Sequence, residues 1–176
     1  MKKILLFVFI LSGTIFNSLA QTKSSPQLSI GAEFGLPTGQ ASQIYGSVLG
    51  ASLKFEFPVL HAPINFTVTT GFSEFLLKFD YTGLLKNVAY LPVEIGGKYY
   101  INKVVYFEGD LGVSFEGNNG YTGPRAAFIY APIIGVSAPT NNHKAIIDLG
   151  LRYEGRVESA GTGNQLAVRL AYRFGI

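Results

Sequence analysis

The sequence predicts an all-β fold, an eight-stranded antiparallel transmembrane β-barrel that follows a cleaved N-terminal signal peptide. Residues 165–176 alternate between a wholly apolar face and a face of charged and small residues, which is the pattern of a strand between lipid and a polar interior. Eight amphipathic segments of this kind follow one another, and the connections between them are alternately short and long. The chain begins with two lysines and a short apolar stretch, as secreted proteins do.

The N-terminal residues have the pattern of a secretory signal peptide. The apolar stretch 4–11 follows the lysines, and small residues precede Gln21 at the expected cleavage site. This stretch is much shorter than the ~20 residues that a membrane-spanning helix requires. We therefore expect residues 1–20 to be removed and residues 21–176 to form one outer-membrane barrel domain.

Composition excludes several classes of protein. The signal peptide holds two of the 14 basic residues and none of the 11 acidic ones, so the mature chain has a net charge of about +1 and no signal for nucleic-acid binding. The chain has no Cys, which excludes disulfides, thiolate metal sites and acylation on cysteine. Its 21 glycines and 14% aromatic residues favour β-structure.

The eight segments are long enough to cross a bilayer. Most contain ~10–13 residues, whereas a tilted transmembrane strand needs ~9–11. After the signal peptide no stretch approaches ~18 apolar residues, so strands must make any crossing. The predicted segments span residues 27–36, 46–57, 63–74, 89–101, 103–116, 126–137, 144–157 and 164–176.

The two-sided pattern is clear in most segments and weakest in the sixth. In the second segment, for example, Leu53 and Phe55 alternate with Lys54 and Glu56. In the sixth segment the inward face is not polar, and Pro132 interrupts the strand. Because proline cannot donate a hydrogen bond to the ladder, we expect a β-bulge there.

The connections predict the orientation of the barrel. Short turns lie at 58–62, 102–103 and 138–143, whereas longer polar stretches lie at 37–45, 74–86, 117–125 and 158–163. Outer-membrane barrels have short periplasmic turns and longer external loops. We therefore expect both termini in the periplasm and the four longer stretches outside the cell.

Thirteen charged residues fall on the predicted inward face. An eight-stranded barrel has room inside only for side chains, and buried charges must be paired, so we expect an ion network that fills the lumen. The acidic members are Glu33, Glu56, Glu94, Glu108, Asp110, Asp148 and Glu154, and the basic members are Lys54, Lys98, Arg152, Arg156, Arg169 and Arg173.

A family resemblance rests on the fourth and fifth segments and on the end of the chain. Leu91, Pro92, Glu94 and the run Lys98-Tyr99-Tyr100, before a glycine-rich strand, resemble the central hairpin of the small porin-family or PorT-like outer-membrane barrels of Bacteroidota. The resemblance implies outer-membrane location but no particular chemistry. The expected signal for the barrel-assembly machinery is the aromatic-rich final strand, with Leu170, Tyr172, Phe174 and Ile176 on its apolar face.

These observations favour a structural or surface-interaction role through the external loops. The expected partners are outer-membrane lipid, the assembly machinery and a surface ligand or envelope protein, and the expected state is a monomer. Two alternatives stay open: a narrow porin-like pore for small solutes, and a soluble periplasmic lipid-binding barrel. An enzyme is not expected, because the two histidines, His61 and His143, fall in predicted periplasmic turns. No cofactor or metal site is expected.

Overall fold

Eight antiparallel strands close into a barrel in which every strand pairs with its neighbours in sequence and the last strand pairs with the first. The computed structural model describes residues 25–59, 62–117, 126–140, 145–158 and 161–176, so the predicted signal peptide lies outside the described residues. The predicted fold is confirmed, and each strand ends within three residues of its predicted segment. The strands are β1 Gln27–Thr38, β2 Tyr45–Pro58, β3 Ile64–Leu77, β4 Val88–Tyr100, β5 Val105–Glu116, β6 Ala126–Pro139, β7 Ala145–Glu158 and β8 Gly161–Gly175.

The alternation of side chains gives the barrel an apolar exterior. Large apolar side chains project outwards from all eight strands, and Ile95 and Phe66 are 68% and 63% exposed. Charged side chains alternate with them and point into the lumen. As a surface in water, this belt would far exceed the few hundred Å² of contiguous apolar area that monomers expose. The exterior is therefore suited to hydrocarbon.

The final strand follows the same rule. Leu170, Tyr172 and Ile176 are exposed on the outer face, and Phe174 is half-buried with its ring centroid 6.1 Å from that of Tyr172. Pairing of β8 with both β1 and β7 closes the barrel.

The two ends of the barrel differ. One end, which we call the terminal end, carries the start of β1, the end of β8 and the connections β2–β3, β4–β5 and β6–β7. The other end, the loop end, carries the β1–β2 connection with helix α1 (Ala41–Ile44) and the β3–β4 connection with a 3₁₀ turn (Phe79–Tyr81). In the described part of the chain, no helix is both long and apolar enough to cross a membrane.

Two local expectations were wrong. The stretch 158–163 is not a long loop, because β7 and β8 remain paired up to Glu158 opposite Gly161. Pro132 causes no bulge: β6 pairs with β7 at Tyr130, omits Pro132, and resumes at Ile133 in the same register. Proline therefore removes ladder bonds locally without requiring an extra residue.

The apolar belt predicts a depth-dependent cost for a charge on the outer face. Ile95 lies near the middle of β4, whereas Ile64 begins β3 at the terminal end. Ile95→Lys should lower the free energy of unfolding in lipid vesicles by about 2–4 kcal/mol, and the control Ile64→Lys by only about 0–1 kcal/mol. Urea denaturation of the folded barrel measures both values. Equal costs at the two depths would contradict a belt that spans hydrocarbon.

Candidate functional site

The charged lumen is the candidate site. All thirteen charged residues expected on the inward face have side chains directed into the lumen; twelve are buried, and the side chain of Glu33 is 13% exposed. They come from β1, β2, β4, β5, β7 and β8. Their common direction follows from the period of two along each strand. The structure joins them through ion pairs, most of which cross the lumen.

A central cluster forms around Arg152 on β7. Its Nη2 donates hydrogen bonds to both carboxylate oxygens of Glu94, at 2.7 and 2.8 Å, and to Oε2 of Glu154 at 2.8 Å. Its Nη1 lies 3.5 Å from Oδ2 of Asp110. Glu94 is on β4, three strands away, so the pair bridges the lumen. One guanidinium thus contacts carboxylates from three strands.

Lys54 extends this cluster to β2. Its Nζ donates a hydrogen bond to Glu108 on β5 and lies 3.7 Å from Oδ2 of Asp110. Thr67 donates a hydrogen bond to Oδ1 of Asp110, at 3.1 Å. The three ionic side chains are fully buried or nearly so. Lys54 thus faces two carboxylates, and Arg152 is the second cation beside Asp110.

Four charges form a separate cluster near the terminal end. Nζ of Lys98 lies 2.9 Å from Glu56 and 3.4 Å from Asp148, and Arg173 lies 3.1 Å from Glu56 and 2.9 Å from Asp148. Each cation therefore contacts both carboxylates. Lys98 also lies 4.0 Å from the centre of the Tyr106 ring, a cation–π contact. The four ionic side chains come from β2, β4, β7 and β8 and lock those strands together.

The remaining pair lies beside β1. Nε of Arg169 is 3.5 Å from Glu33 and donates a hydrogen bond of 2.8 Å to Ser52. Ser52 in turn donates to Glu33 at 2.7 Å. Nη2 of Arg169 donates to Ser29 at 3.1 Å. The Ser52 hydroxyl thus links the two ions of this pair, and the Ser29 hydroxyl accepts a further hydrogen bond from Arg169.

Sequence reasoning missed an aromatic lid towards the loop end, formed by Tyr45, Phe75 and Tyr90. The guanidinium carbon of Arg156 lies 4.1 Å from the ring centre of Tyr90 and 5.0 Å from that of Phe75. Arg156 is completely buried and also contacts Glu154 at 2.5 Å. Phe75 packs edge-on against both tyrosines, with centroids 5.6 Å apart in each pair. The sequence did offer a signal for this lid: Phe75 lies two residues after Ser73 and therefore shares its inward face.

Small residues make room for the ion network. A Cβ atom at Gly96 would collide with Oδ1 of Asp110, and one at Gly112 would collide with the backbone of Val93. A Cβ atom at Gly135 would overlap the ring of Tyr106. These glycines are therefore required by close approach within the lumen.

The centre of the lumen is almost completely filled. The space between Glu33, Glu94, Arg152 and Glu154 is a cavity of about 10 Å³, roughly what one water molecule requires. At the terminal end the lumen opens into a mostly polar cavity of about 380 Å³, whose lining includes Arg173. A lipid-binding barrel would need a large apolar lumen, so the charged side chains argue against that alternative.

Two further candidates, a metal site and a catalytic histidine, find little support in the described residues. No group of three or more His, Cys, Asp or Glu side chains in that part of the chain is arranged to hold a metal ion. His61 and His143 lie outside the described residues, as does most of the predicted external loop 117–125.

Comparison with known proteins identifies the fold. No protein-family model and no curated protein sequence matches the chain. Among solved structures, it is similar to Ail, the attachment invasion locus protein of Yersinia pestis, with 15% identity over 87% of this chain and 100% of that chain and a TM-score of 0.58. Neisserial surface protein A gives 13% identity over 87% and 98% of the two chains and a TM-score of 0.63.

The N-terminal β-barrel domain of Pseudomonas aeruginosa OprF is a further neighbour, with 8% identity, coverage of 84% and 97%, and a TM-score of 0.51. At these identities the likeness concerns the fold alone. The chain has the fold of the small eight-stranded outer-membrane barrels.

The central cluster predicts strong coupling between Arg152 and Glu94. Arg152→Gln should lower the free energy of unfolding by about 3–5 kcal/mol, because buried carboxylates lose their cation. Urea denaturation in lipid vesicles measures the effect. Lys103→Gln is the control, since this lysine is exposed outside the network, and its effect should stay within about 0.5 kcal/mol.

The double variant Arg152→Gln/Glu94→Gln tests the pairing itself. It should be more stable than the sum of the two single effects predicts, because it removes both partners of one ion pair. Strict additivity of the two substitutions would contradict the pair seen in the structure.

Proposed function

We propose that this chain is an integral outer-membrane protein with a lumen that does not conduct, and that it acts by supporting the envelope and by surface interactions of its external loops. The observation that carries this proposal is the filled lumen. Cross-lumen pairs such as Arg152–Glu94 occupy its centre, and the residual cavity there is about 10 Å³. A solute would have to break these pairs in order to pass.

The location is proposed on three grounds. The exterior is apolar on every strand, the fold is that of outer-membrane barrels, and residues 1–20 have the pattern of a signal peptide. We propose periplasmic termini because three of the four connections at the opposite end, β1–β2, β3–β4 and β5–β6, are longer than the three turns at the terminal end. The final strand, with Leu170, Tyr172, Phe174 and Ile176 on its apolar face, is the proposed signal for the barrel-assembly machinery, and a monomer is the proposed state.

The proposed surface role follows from the groups that remain available to a partner when the lumen is filled. With the interior filled by structural charges, the groups available to a partner lie on the loops, where binding residues commonly collect on rigid scaffolds. Two barrels of the same fold are named for surface roles, one an attachment invasion protein and the other a surface protein. The proposed partner is a surface ligand or an envelope protein, and no enzymatic activity is proposed.

Membership of the small porin-family or PorT-like barrels of Bacteroidota is also a proposal. The residues that resemble the small barrels of Bacteroidota take part in the lumen: Glu94 and Lys98 are buried in the ion network, while Leu91 and Tyr99 face outwards. The resemblance is thus carried by positions that the fold itself constrains.

The filled lumen predicts the electrical behaviour of the purified barrel. Reconstituted in planar lipid bilayers, it should show no steady conductance, because ions would meet paired charges and an aromatic lid. An open porin in the same bilayers serves as the control. Steady, ion-selective channels that change with substitutions at Arg152 or Arg169 would overturn the proposal and favour a narrow porin-like pore.

The proposed location predicts the result of cell fractionation. The full chain should appear in the outer-membrane fraction, resist extraction by carbonate and dissolve in detergent, because its apolar exterior requires lipid. A variant without residues 1–20 should remain in the cytoplasm and serves as the control for export. Recovery of the full chain from the soluble periplasm would contradict membrane insertion.

A further inference from the structure

The β3–β4 connection carries an unusual apolar tip at the loop end. Phe79 is 89% exposed, Leu84 is 80% exposed and Leu85 is 48% exposed. The first two values exceed those of the large apolar side chains that face outwards on the described strands. Because these residues lie beyond the ends of β3 and β4, the belt itself does not explain their exposure. We call residues 78–86 the apolar loop.

Hydrogen bonds hold the apolar loop in one shape. The backbone N–H groups of Leu84 and Leu85 donate to the carbonyl of Tyr81, both at 3.1 Å, and the Thr82 hydroxyl donates to the carbonyl of Phe79 at 2.6 Å. Gly83 permits the turn with a φ of 93°. The apolar side chains are thus presented outwards by a defined turn that does not fold them inwards.

The base of the loop is also tied to the barrel. The N–H of Lys78 donates to the carbonyl of Ile44 at 3.0 Å. The N–H of Leu77 donates to the Asn87 side chain at 3.1 Å. These bonds join the base of the loop to the last residue of α1 and to the residue that precedes β4. Its position at the rim is therefore coupled to the barrel wall.

The lysines of the apolar loop, and its continuity with the outward apolar surface of β3 and β4, point to a lipid partner. Lys78 and Lys86 flank the apolar tip and are exposed, whereas Asp80 is the one acidic residue of the loop. Apolar side chains bordered by lysines are typical of segments at the boundary between headgroups and acyl chains, where the ammonium groups meet lipid phosphates. Phe72 and Leu91 continue the outward apolar surface on the loop-side halves of β3 and β4.

We propose that the apolar loop is a membrane anchor. Phe79, Leu84 and Leu85 enter the boundary region of the outer leaflet, and Lys78 and Lys86 contact the phosphate groups of its lipids. The anchor rests on the proposed insertion of the barrel in the outer membrane. It sets the depth and tilt of the barrel on the β3–β4 side.

Tryptophan fluorescence can test the anchor, because the chain contains no Trp. Phe79→Trp and Leu84→Trp are compared, in vesicles with brominated acyl chains and anionic headgroups, with two controls. Ile95→Trp lies in the apolar belt, and Gln43→Trp is exposed on α1 in another loop of the same end. The loop variants and the belt variant should lose most of their emission to the bromines, whereas Gln43→Trp should keep it.

A charge variant tests the role of the lysines. In the Phe79→Trp background, Lys78→Gln/Lys86→Gln should reduce quenching in vesicles with anionic phospholipid and have little effect in zwitterionic vesicles. Lys103→Gln at the terminal end is the matched control and should leave quenching unchanged. If the lysine variant is quenched as strongly as its Phe79→Trp parent in anionic vesicles, the phosphate contact is wrong.

The outcomes separate the two proposals. If Ile95→Trp is quenched while Phe79→Trp stays accessible to aqueous acrylamide, the anchor is wrong and the membrane barrel stands. If Ile95→Trp itself is not quenched, the proposed membrane insertion fails. If Phe79→Trp is shielded on intact cells but accessible in vesicles, the loop binds a protein partner and the lipid anchor is overturned.

Discussion

The need to pair buried charges inside a narrow lumen is the constraint on which the rest of the structure depends. A charge left without a partner in a dry interior costs several kcal/mol, so the thirteen lumen charges tolerate few arrangements. Arg152 contacts carboxylates on β4, β5 and β7, and Lys98 contacts carboxylates on β2 and β7. A one-residue slip of β7 would turn Arg152 and Asp148 towards lipid. The ion network thus specifies the register as well as filling the lumen.

The apolar belt and the lumen contribute to the structure in different ways. It supplies the free energy of transfer to lipid but does not distinguish registers that differ by two residues, because the same face then stays outside and one aliphatic side chain in hydrocarbon resembles another. The contrast is visible on β6, which has apolar side chains on both faces and places Ile129 and Ile133 in the lumen. That strand contributes no member of the ion network, so its register depends on its ladders to β5 and β7.

Regular alternation explains why so much of the barrel was predictable from sequence. Every strand and the inward direction of all thirteen charged residues follow from the period of two. The partners of those residues do not follow, because Lys54 meets Glu108 only through the stagger of the closed sheet, a property of all eight strands together. The aromatic lid was missed because the third predicted segment ended at residue 74, which put Phe75 in an expected loop, whereas β3 continues to Leu77. Polar residues near 158–163 favoured a loop, yet β7 and β8 remain paired up to Glu158 opposite Gly161.

The two ends of the lumen indicate which part of the molecule provides stability and which part is available for interaction. Towards the loop end, Arg156 is fully buried beside the rings of Tyr90 and Phe75. At the terminal end the lumen opens into a polar cavity beside Arg173, a residue already held by two carboxylates. Because the described interior charges are already held by one another, the barrel can change its loops without disturbing its core. Such a separation agrees with the proposed role, in which the exposed loops and not the lumen contact a partner.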